Sequence, residues 1–600
     1  MNNQELALLL RKIAAAYEIK KENRFKIIAY QKAADSIEHL TSEAKDLWDD
    51  NKLNEIPGIG PAIAGHLDEL FRTGKVKHFE KIISDLPKAM FPLLSIPGFG
   101  AKRAYKLVTL LKLKNPETVI SDLKQAAKKG IIAPIEGFGE KSQQAIIETI
   151  ESFEKGQTKE NRMTLPYADA IAQEIVDYLK KKKEVIRVDR LGSLRRMVAT
   201  IGDIDIAVAT KQFQEVIDWF LNFPKIKKII ERGEAGASVI LKNGRQIDLR
   251  VQKPQAYGAM LQYFTGSKHH NIKLREVALK KGLSLSEYGI KKLKIKNEKL
   301  KIEEFNTEEA FYRAIGLSWI PPELREDQGE IEAAQEGRLP KLVRLKDIKG
   351  DFHSHSNFDL EPSHDLGVNS FTEMLEKAYQ LGYQYFTFSD HNPSVSNHTN
   401  KQIIQIMKRR KAEIEQILLS KKNTQTRKIL KKAFIALEID ILPDGKLALP
   451  EPAFEFIDFA VVAIHSSFRQ SRQKMTERVL KGFSHPKVKI LAHPTGRLLN
   501  EREGYELDWD KIFDFCKKHN KVLEINCHPA RLDLPDVLVR EAIKRGVKIA
   551  LGTDSHSAEA MENIRYGLAM ARRGWCEKDD ILNTMDYNRV IKWIKLSERR

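Results

Sequence analysis

Cysteine is scarce in this chain: three residues in 600, Cys516, Cys527 and Cys576. The number is odd and no C-x-x-C pair occurs. This pattern argues against a disulfide scaffold and a cysteine-ligated zinc site, and a reducing cytoplasm is expected. Long apolar runs are missing as well. None approaches the ~18 residues that a membrane span requires, so no membrane partner is expected. The opening stretch, MNNQELALLLRKIAAAYEIK, carries charges throughout and lacks the apolar core and cleavage site of a secretory signal. Acidic residues are in deficit, 82 Asp and Glu against 101 Lys and Arg, for a net charge of +19. That balance favours a polyanionic partner, although a lysine-rich composition alone would produce the same excess. Low-complexity tracts are absent, and the length exceeds one hydrophobic core, so about three to five domains are expected.

Three stretches in the first 160 residues resemble one another. They are IPGIGPAIAGHL from Ile56, IPGFGAKRAYKL from Ile96 and IEGFGEKSQQAI from Ile135. Each places a Gly-x-Gly pair (Gly58 and Gly60, Gly98 and Gly100, Gly137 and Gly139) before a helical pattern. Such a turn leaves backbone N–H groups pointing one way, which suits a phosphate. Lys102 and Arg103 add cationic reach. Repeated in a basic helical region, the turns resemble helix-hairpin-helix motifs, which grip DNA phosphates without reading sequence.

From Glu184 to about Val251 the pattern shifts to short β-rich runs. In TIGDIDIAVAT, Asp203 and Asp205 stand one residue apart, so on a strand they share a face. Two carboxylates so close repel unless divalent cations lie between them. In ASVILKNGRQIDLRV, Asn243-Gly244 signals a hairpin, and the returning strand brings Asp248. Three aspartates on adjacent strands can hold two metals for in-line phosphoryl transfer. Just upstream, LGSLRR supplies Gly192 for close backbone approach, Ser193 as a donor, and Arg195 and Arg196 as planar forks for a triphosphate.

A Pro/Glu/Gly-rich stretch, Ile320 to Pro340, reads as a linker, and strands then alternate with helices to the C-terminus. His353 and His355 form an H-x-H pair on an expected short strand. Apolar runs then end, or nearly end, in Asp390-His391, Glu438, His465, His493 and Asp554 with His556. Strand ends of a barrel converge on one mouth. Histidines bridged by carboxylates there suit Zn²⁺, Mn²⁺ or Fe, and two or three such ions can activate water against a phosphate.

GSLRR, GDIDI, RQIDLRV and LQYFTGSKHHNIKLRE, taken together, resemble the family X DNA polymerases over roughly Asn2 to Leu317. The resemblance implies Asp203, Asp205 and Asp248 as the catalytic metal-binding carboxylates. It puts Ser193 and Arg196 on the triphosphate, Tyr263, Phe264 and Gly266 along the nucleotide sugar, Asn271 at its base edge, and Arg275 on the template side. Two positions depart from the beta-type pattern. His66 stands where a Schiff-base lysine is usual, which argues against that lyase chemistry while leaving Lys32 for a 5′-phosphate. Gln246 replaces an arginine beside the third aspartate.

The stretches H-x-H, SDH, E-I-D, IHSS, AHPTGR and GTDSH resemble the PHP (polymerase and histidinol phosphatase) domain. The resemblance implies a trinuclear site of His353, His355, His391, Glu438, His465, His493, Asp554 and His556. Asp365 is favoured for a further aspartate because a glycine follows two residues later, with Asp359 and His364 as rivals. Arg497 is a phosphate candidate.

The expected chain is multidomain α/β. It has a helical helix-hairpin-helix domain (1–80), a fingers-like helical domain (81–160), a mixed α+β nucleotidyltransferase palm (161–252), a thumb (253–318), a linker (319–346) and a distorted (β/α)7 PHP barrel (347–600). The fusion implies short-gap DNA synthesis in base excision repair with a 3′–5′ exonuclease or end-processing activity. Gapped or primer-template DNA and dNTPs are the expected partners. Mg²⁺ or Mn²⁺ is expected in the palm, Mn²⁺ or Zn²⁺ in the barrel, and a monomer in solution. A non-catalytic DNA-binding scaffold and a small-molecule phosphatase are the alternatives.

Overall fold

The computed structural model describes all residues except 1–2, 39–43, 50–52, 57–58, 95, 97–98, 141, 145, 148–149, 151–161, 294–300, 363, 421–429, 431, 501 and 597–600. The chain divides into two compact units, Met1–Asn161 and Arg162–Arg600.

The first unit is helical. Its three repeats fold alike: Ile59 N–H donates to Ile56 O (3.1 Å), Phe99 N–H to Ile96 O (3.1 Å) and Phe138 N–H to Ile135 O (2.8 Å). The second glycine of each pair then opens a helix, because Ala64, Ala104 and Gln143 donate back to Gly60, Gly100 and Gly139 at 2.9–3.0 Å. Ile56, Ile59, Ile96 and Phe99 are buried in one core with the faces of the helices Asn3–Ile19, Pro61–Thr73 and Ala101–Leu110. The aliphatic residue before each turn thus anchors it, while Gly60, Gly100 and Gly139 stay exposed.

In the second unit, a five-stranded sheet comprises β1 (Arg187–Arg190), β2 (Ile204–Ala209), β3 (Ile226–Arg232), β4 (Gly236–Leu241) and β5 (Gln246–Gln252), in the order β1-β2-β5-β4-β3. The alternation in β2 and β5 decides which face carries chemistry. Ile204, Ile206, Val208, Ile247, Leu249 and Val251 enter the core with the helices Leu165–Leu179 and Phe213–Leu221. Asp205 and Asp248 take the opposite face, the face on which Ala207 and Ala209 pack against the helix Tyr257–Thr265. The stretch expected as a linker is packed instead: Arg325, Glu330, Ile331 and Ala334 are buried and extend the helical region that follows the palm. Its few apolar residues are enough because Arg325 is neutralised by Glu308 at 2.6 Å.

The remainder is a parallel sheet of six strands in sequence order: β6 (Phe386–Phe388), β7 (Ala433–Asp440), β8 (Phe459–Ala463), β9 (Val488–Leu491), β10 (Val522–Asn526) and β11 (Ile549–Gly552). A seventh segment closes the ring. Gln384 N–H donates to Lys349 O and Ser389 N–H to Ser354 O beside β6, while Phe352 N–H donates to Leu551 O and Asp554 N–H to His353 O beside β11. The short strand expected at His353–His355 is only a bridge at Ser354, which still leaves the two histidines, i and i+2, on one side.

Candidate active sites

In the palm, Asp205 and Asp248 are register partners across the parallel pair β2–β5. Asp203 lies at the bend that enters β2, one residue outside the strand. The three carboxylates each offer an oxygen within 4.8 Å of the others. Burial, then Asp203 and Asp248, push the Asp205 carboxyl up to about 7. That repulsion, only partly offset by Arg250 and Arg196, fits a cation site whose donors are hard carboxylate oxygens. Gly192 takes φ +55°, and a methyl group there would meet Asp205 Oδ2 at 2.4 Å, so the glycine is required by close approach as well as by backbone. Two residues that the sequence did not single out for this role orient Asp248. Ser238 Oγ donates to Oδ1, and Gln246 Nε2 donates to Oδ2 at 3.0 Å. Gln246 thus holds the third aspartate without adding charge.

The raised Asp205 carboxyl carries a pH prediction. A group whose folded pKa lies near 7 keeps its proton below that pH, and a cation must displace it. The Mg²⁺ concentration giving half-maximal primer extension is expected to be about tenfold higher at pH 6 than at pH 8. A pH-independent value contradicts the assignment.

The arginines divide their work. Arg195 is bidentate to Glu308 at 2.9 and 2.6 Å. Arg196 donates to Glu326 Oε1 (2.9 Å) and Thr265 O (2.8 Å). Tyr263 and Phe264 meet edge to face at 5.0 Å, with the Arg275 guanidinium 5.1 Å from the Tyr263 ring. Asn271 Nδ2 donates to Tyr263 O at 2.7 Å, and a methyl group at Gly266 would strike Asn271 Oδ1 at 2.6 Å.

The barrel mouth gathers the second cluster around Glu438. His391 Nδ1 lies 2.9 Å from Oε2, and His493 Nε2 lies 3.0 Å from Oε1. His353, His355 and His465 approach the same carboxylate at 3.4, 3.7 and 3.5 Å. His355 Nε2 also meets Asp554 Oδ1 at 3.1 Å. Asp365 is exposed at the rim, 3.8 Å from His391 and 3.4 Å from His556. His364 is also brought in: it forms a donor group with His391 and His465. Asp359 has no place in any of these groups. Buried His355 Nδ1, His493 Nδ1 and His556 Nε2 have no hydrogen-bond partner. Burial, with neighbouring imidazoles in one case and Arg531 in the other, lowers His355 to about 4 and His493 to about 3, which favours their neutral form near pH 7. Orphaned donors on neutral imidazoles around one carboxylate fit a multinuclear cation site.

Sequence reasoning missed the residues that aim these ligands. Glu524 Oε1 lies 2.7 Å from His353 Nδ1, and Asp440 holds His465 (2.6 Å) and His364 (2.9 Å). The available signal was a lone carboxylate inside the apolar run VLEIN. Arg497 is not aimed at the site; it donates to the carbonyls of Arg531 and Leu532. That clamp puts Arg531 at the mouth, 3.7 Å from Asp554.

In the helical unit, Gly58 and Gly98 lie outside the described residues. Lys102 is exposed beside Glu18, whereas Arg103 is drawn between Phe99 and Phe138 and donates to Ser142 at 3.0 Å. It ties the second turn to the third instead of reaching outward. Lys32 lies on the helix Arg24–Glu38. His66 Nδ1 is 2.7 Å from Tyr30 Oη, and its ring stacks on His78.

Fold and sites together define a two-centre enzyme class, a nucleotidyltransferase joined to a phosphoesterase barrel. Family models match as DNA polymerase beta thumb over residues 260–326, helix-hairpin-helix domain over 1–76 and SAM-like helix-hairpin-helix tandem over 50–114. The DNA polymerase/3′-5′ exonuclease PolX of Bacillus subtilis (strain 168) is 34% identical over 600 residues, covering 100% of both chains. A probable phosphatase of Thermoanaerobacter sp. (strain X514) is 24% identical over 42% of this chain and 96% of its own. DNA polymerase lambda of Arabidopsis thaliana is 24% identical over 48% of this chain and 54% of its own. The chain belongs to the PolX family of DNA polymerase/3′-5′ exonucleases. Divalent-cation dependence follows for both centres. No helix of the described residues is long and apolar enough to cross a membrane.

Proposed function

We propose that this protein fills short gaps in DNA during base excision repair and trims or unblocks 3′ ends with its second centre. The carrying observation is that one unit holds two separate donor sets, the aspartate triad of β2 and β5 and the histidine cluster around Glu438. In this reading the palm takes Mg²⁺ or Mn²⁺, and the barrel takes Mn²⁺ or Zn²⁺ as a trinuclear centre. Such cations, when bound, neutralise phosphate charge and make a hydroxyl or water a stronger nucleophile. Ser193 and Arg196 contact the triphosphate. Tyr263, Phe264 and Gly266 line the sugar, Asn271 meets the base edge and Arg275 the template side. Lys32 and the exposed turns at Gly60, Gly100 and Gly139 grip DNA phosphates. In the barrel, Arg531 takes the phosphate role first given to Arg497. The protein works in the cytoplasm as a monomer.

The phosphatase relatives cover the barrel alone, which keeps a phosphomonoester reading in play for that centre. The test compares Mn²⁺-dependent hydrolysis of a 3′-recessed duplex with that of small phosphomonoesters, alongside primer extension on a one-nucleotide gap. Extension and a duplex preference of at least roughly 100-fold in kcat/KM are expected. A preference for the monoester, or no incorporation with either Mg²⁺ or Mn²⁺, contradicts the proposal.

A further inference from the structure

The helix Ile564–Arg573 belongs to the barrel, yet its last residue reaches the polymerase palm. Arg573 Nη1 donates to the backbone carbonyl of Arg196 at 2.9 Å and to Glu326 Oε1 at 3.0 Å. The same Glu326 oxygen accepts from Arg196 Nε at 2.9 Å. Asp536, at the start of the barrel helix Asp536–Lys544, holds Arg573 from behind through Nε and Nη2, both at 2.7 Å. The group is enclosed: side-chain exposure is 7% for Arg573, 13% for Arg196 and 19% for Glu326. One carboxylate is thus shared by a barrel arginine and a palm arginine, and the barrel arginine also binds the palm residue's own main chain.

The location matters chemically. Arg196 closes the short helical turn Gly192–Arg195, whose final carbonyls have no partner within the helix. Arg573 satisfies one of them with a charge-assisted bond, a stronger and more directional contact than a neutral one. The opposite end of that turn is Gly192, which abuts Asp205. Arg573 therefore restrains the main chain that carries the Arg196 guanidinium and, through Glu326, one of its nitrogens. Glu326 supplies the side-chain half of the restraint, keeping Arg196 Nε engaged while Thr265 O takes Nη1.

We infer that Arg573 of the barrel is a positioning residue for the polymerase, setting nucleotide affinity by holding Arg196 through its carbonyl and through Glu326. The inference rests on the reading that Arg196 contacts the incoming triphosphate. Arg573 touches neither substrate; it acts through Arg196, so its signature is a change in KM for dNTP with kcat largely kept. It also makes the barrel a supporting part of the polymerase, separate from any hydrolysis it performs.

The test is steady-state single-nucleotide gap filling by the full chain, with Arg573→Ala, Arg573→Lys, Arg196→Ala and the double variant Arg196→Ala/Arg573→Ala. Loss of the two bonds in Arg573→Ala is expected to raise KM for dNTP roughly tenfold, with kcat within about threefold. Exonuclease activity should stay within about twofold. Arg573→Lys, which keeps the charge and one bond, should raise KM by about threefold. In the Arg196→Ala background, Arg573→Ala should add less than about twofold, because its effect passes through a side chain already removed. If Arg196→Ala raises KM while Arg573→Ala leaves it unchanged, or the two effects multiply, the inference is overturned and the triphosphate reading stands. If Arg196→Ala leaves KM unchanged, the triphosphate reading itself fails, and the inference falls with it. Melting temperatures accompany each variant. Should the alanine variant unfold, a folded Arg573→Lys protein with unchanged KM overturns the inference.

Discussion

Asp205→Ala abolishes nucleotide incorporation, lowering it by roughly 10³-fold or more, and leaves 3′–5′ hydrolysis within about twofold. Asp205 is the hinge of the triad. It is the register partner of Asp248 and lies two residues beyond Asp203, so its loss opens both halves of the cation site. Its carboxyl, pushed up to about 7 by burial and two like charges, also marks the triad as a place where the unliganded fold is under electrostatic strain. Removing that charge should therefore leave the melting temperature in EDTA unchanged or slightly raised while synthesis disappears. Gap filling and calorimetry on one preparation check both halves. A variant that keeps synthesis, or that loses it only by unfolding, contradicts the role.

Glu438→Gln produces the reverse pattern. Glu438 is buried at the centre of the barrel site, and five imidazoles approach its two oxygens within 3.7 Å. Although burial alone would raise its pKa, the charges of His353, His391 and His465 hold it well below the usual carboxylate range. The amide keeps the shape and removes the charge. Hydrolysis of a 3′-recessed duplex is expected to fall roughly 10³-fold, with gap filling within about twofold. Without cations, the surrounding imidazoles lose the carboxylate that compensates them, and breaking a buried pair of this kind costs about 3–5 kcal/mol. A lower melting temperature in EDTA than that of the wild-type protein is the second readout. Since the carboxylate's pKa is depressed, that stability is present above the unfolded carboxylate range and is lost as pH falls through the folded value. The wild-type advantage should accordingly shrink in acid.

Much of this arrangement was legible from residue order because it follows short-range rules. The 2-residue period of a strand sorts Ile204, Ile206 and Val208 from Asp205 and Ile247 and Leu249 from Asp248, and the Asn243-Gly244 turn sets β5 beside β4, whereas the parallel pairing of β2 with β5 that joins the two aspartates is long-range. The strand ends of the barrel deliver His391, Glu438, His465 and His493 to one mouth for a similar reason. What could not be read depends on distant segments meeting. Glu524 aims a histidine more than a hundred residues away, and nothing in VLEIN names its partner. Arg497 has the composition of a phosphate ligand, yet its donors are taken by a loop from the next strand. The stretch Ile320–Pro340 has the composition of a linker, but its charges Arg325 and Glu330 are paired inside with Glu308 and His270, partners distant in sequence. Arg103 was drawn inward by two aromatic rings contributed by separate repeats.

The most direct measurement is anomalous diffraction at the manganese edge from crystals of the full chain soaked in Mn²⁺. Two separate sets of peaks are expected, one among Asp203, Asp205 and Asp248 and one among the ligands around Glu438. Density at only one of the two places, or at neither, would contradict the account of a single chain that builds and removes DNA ends at different cation centres.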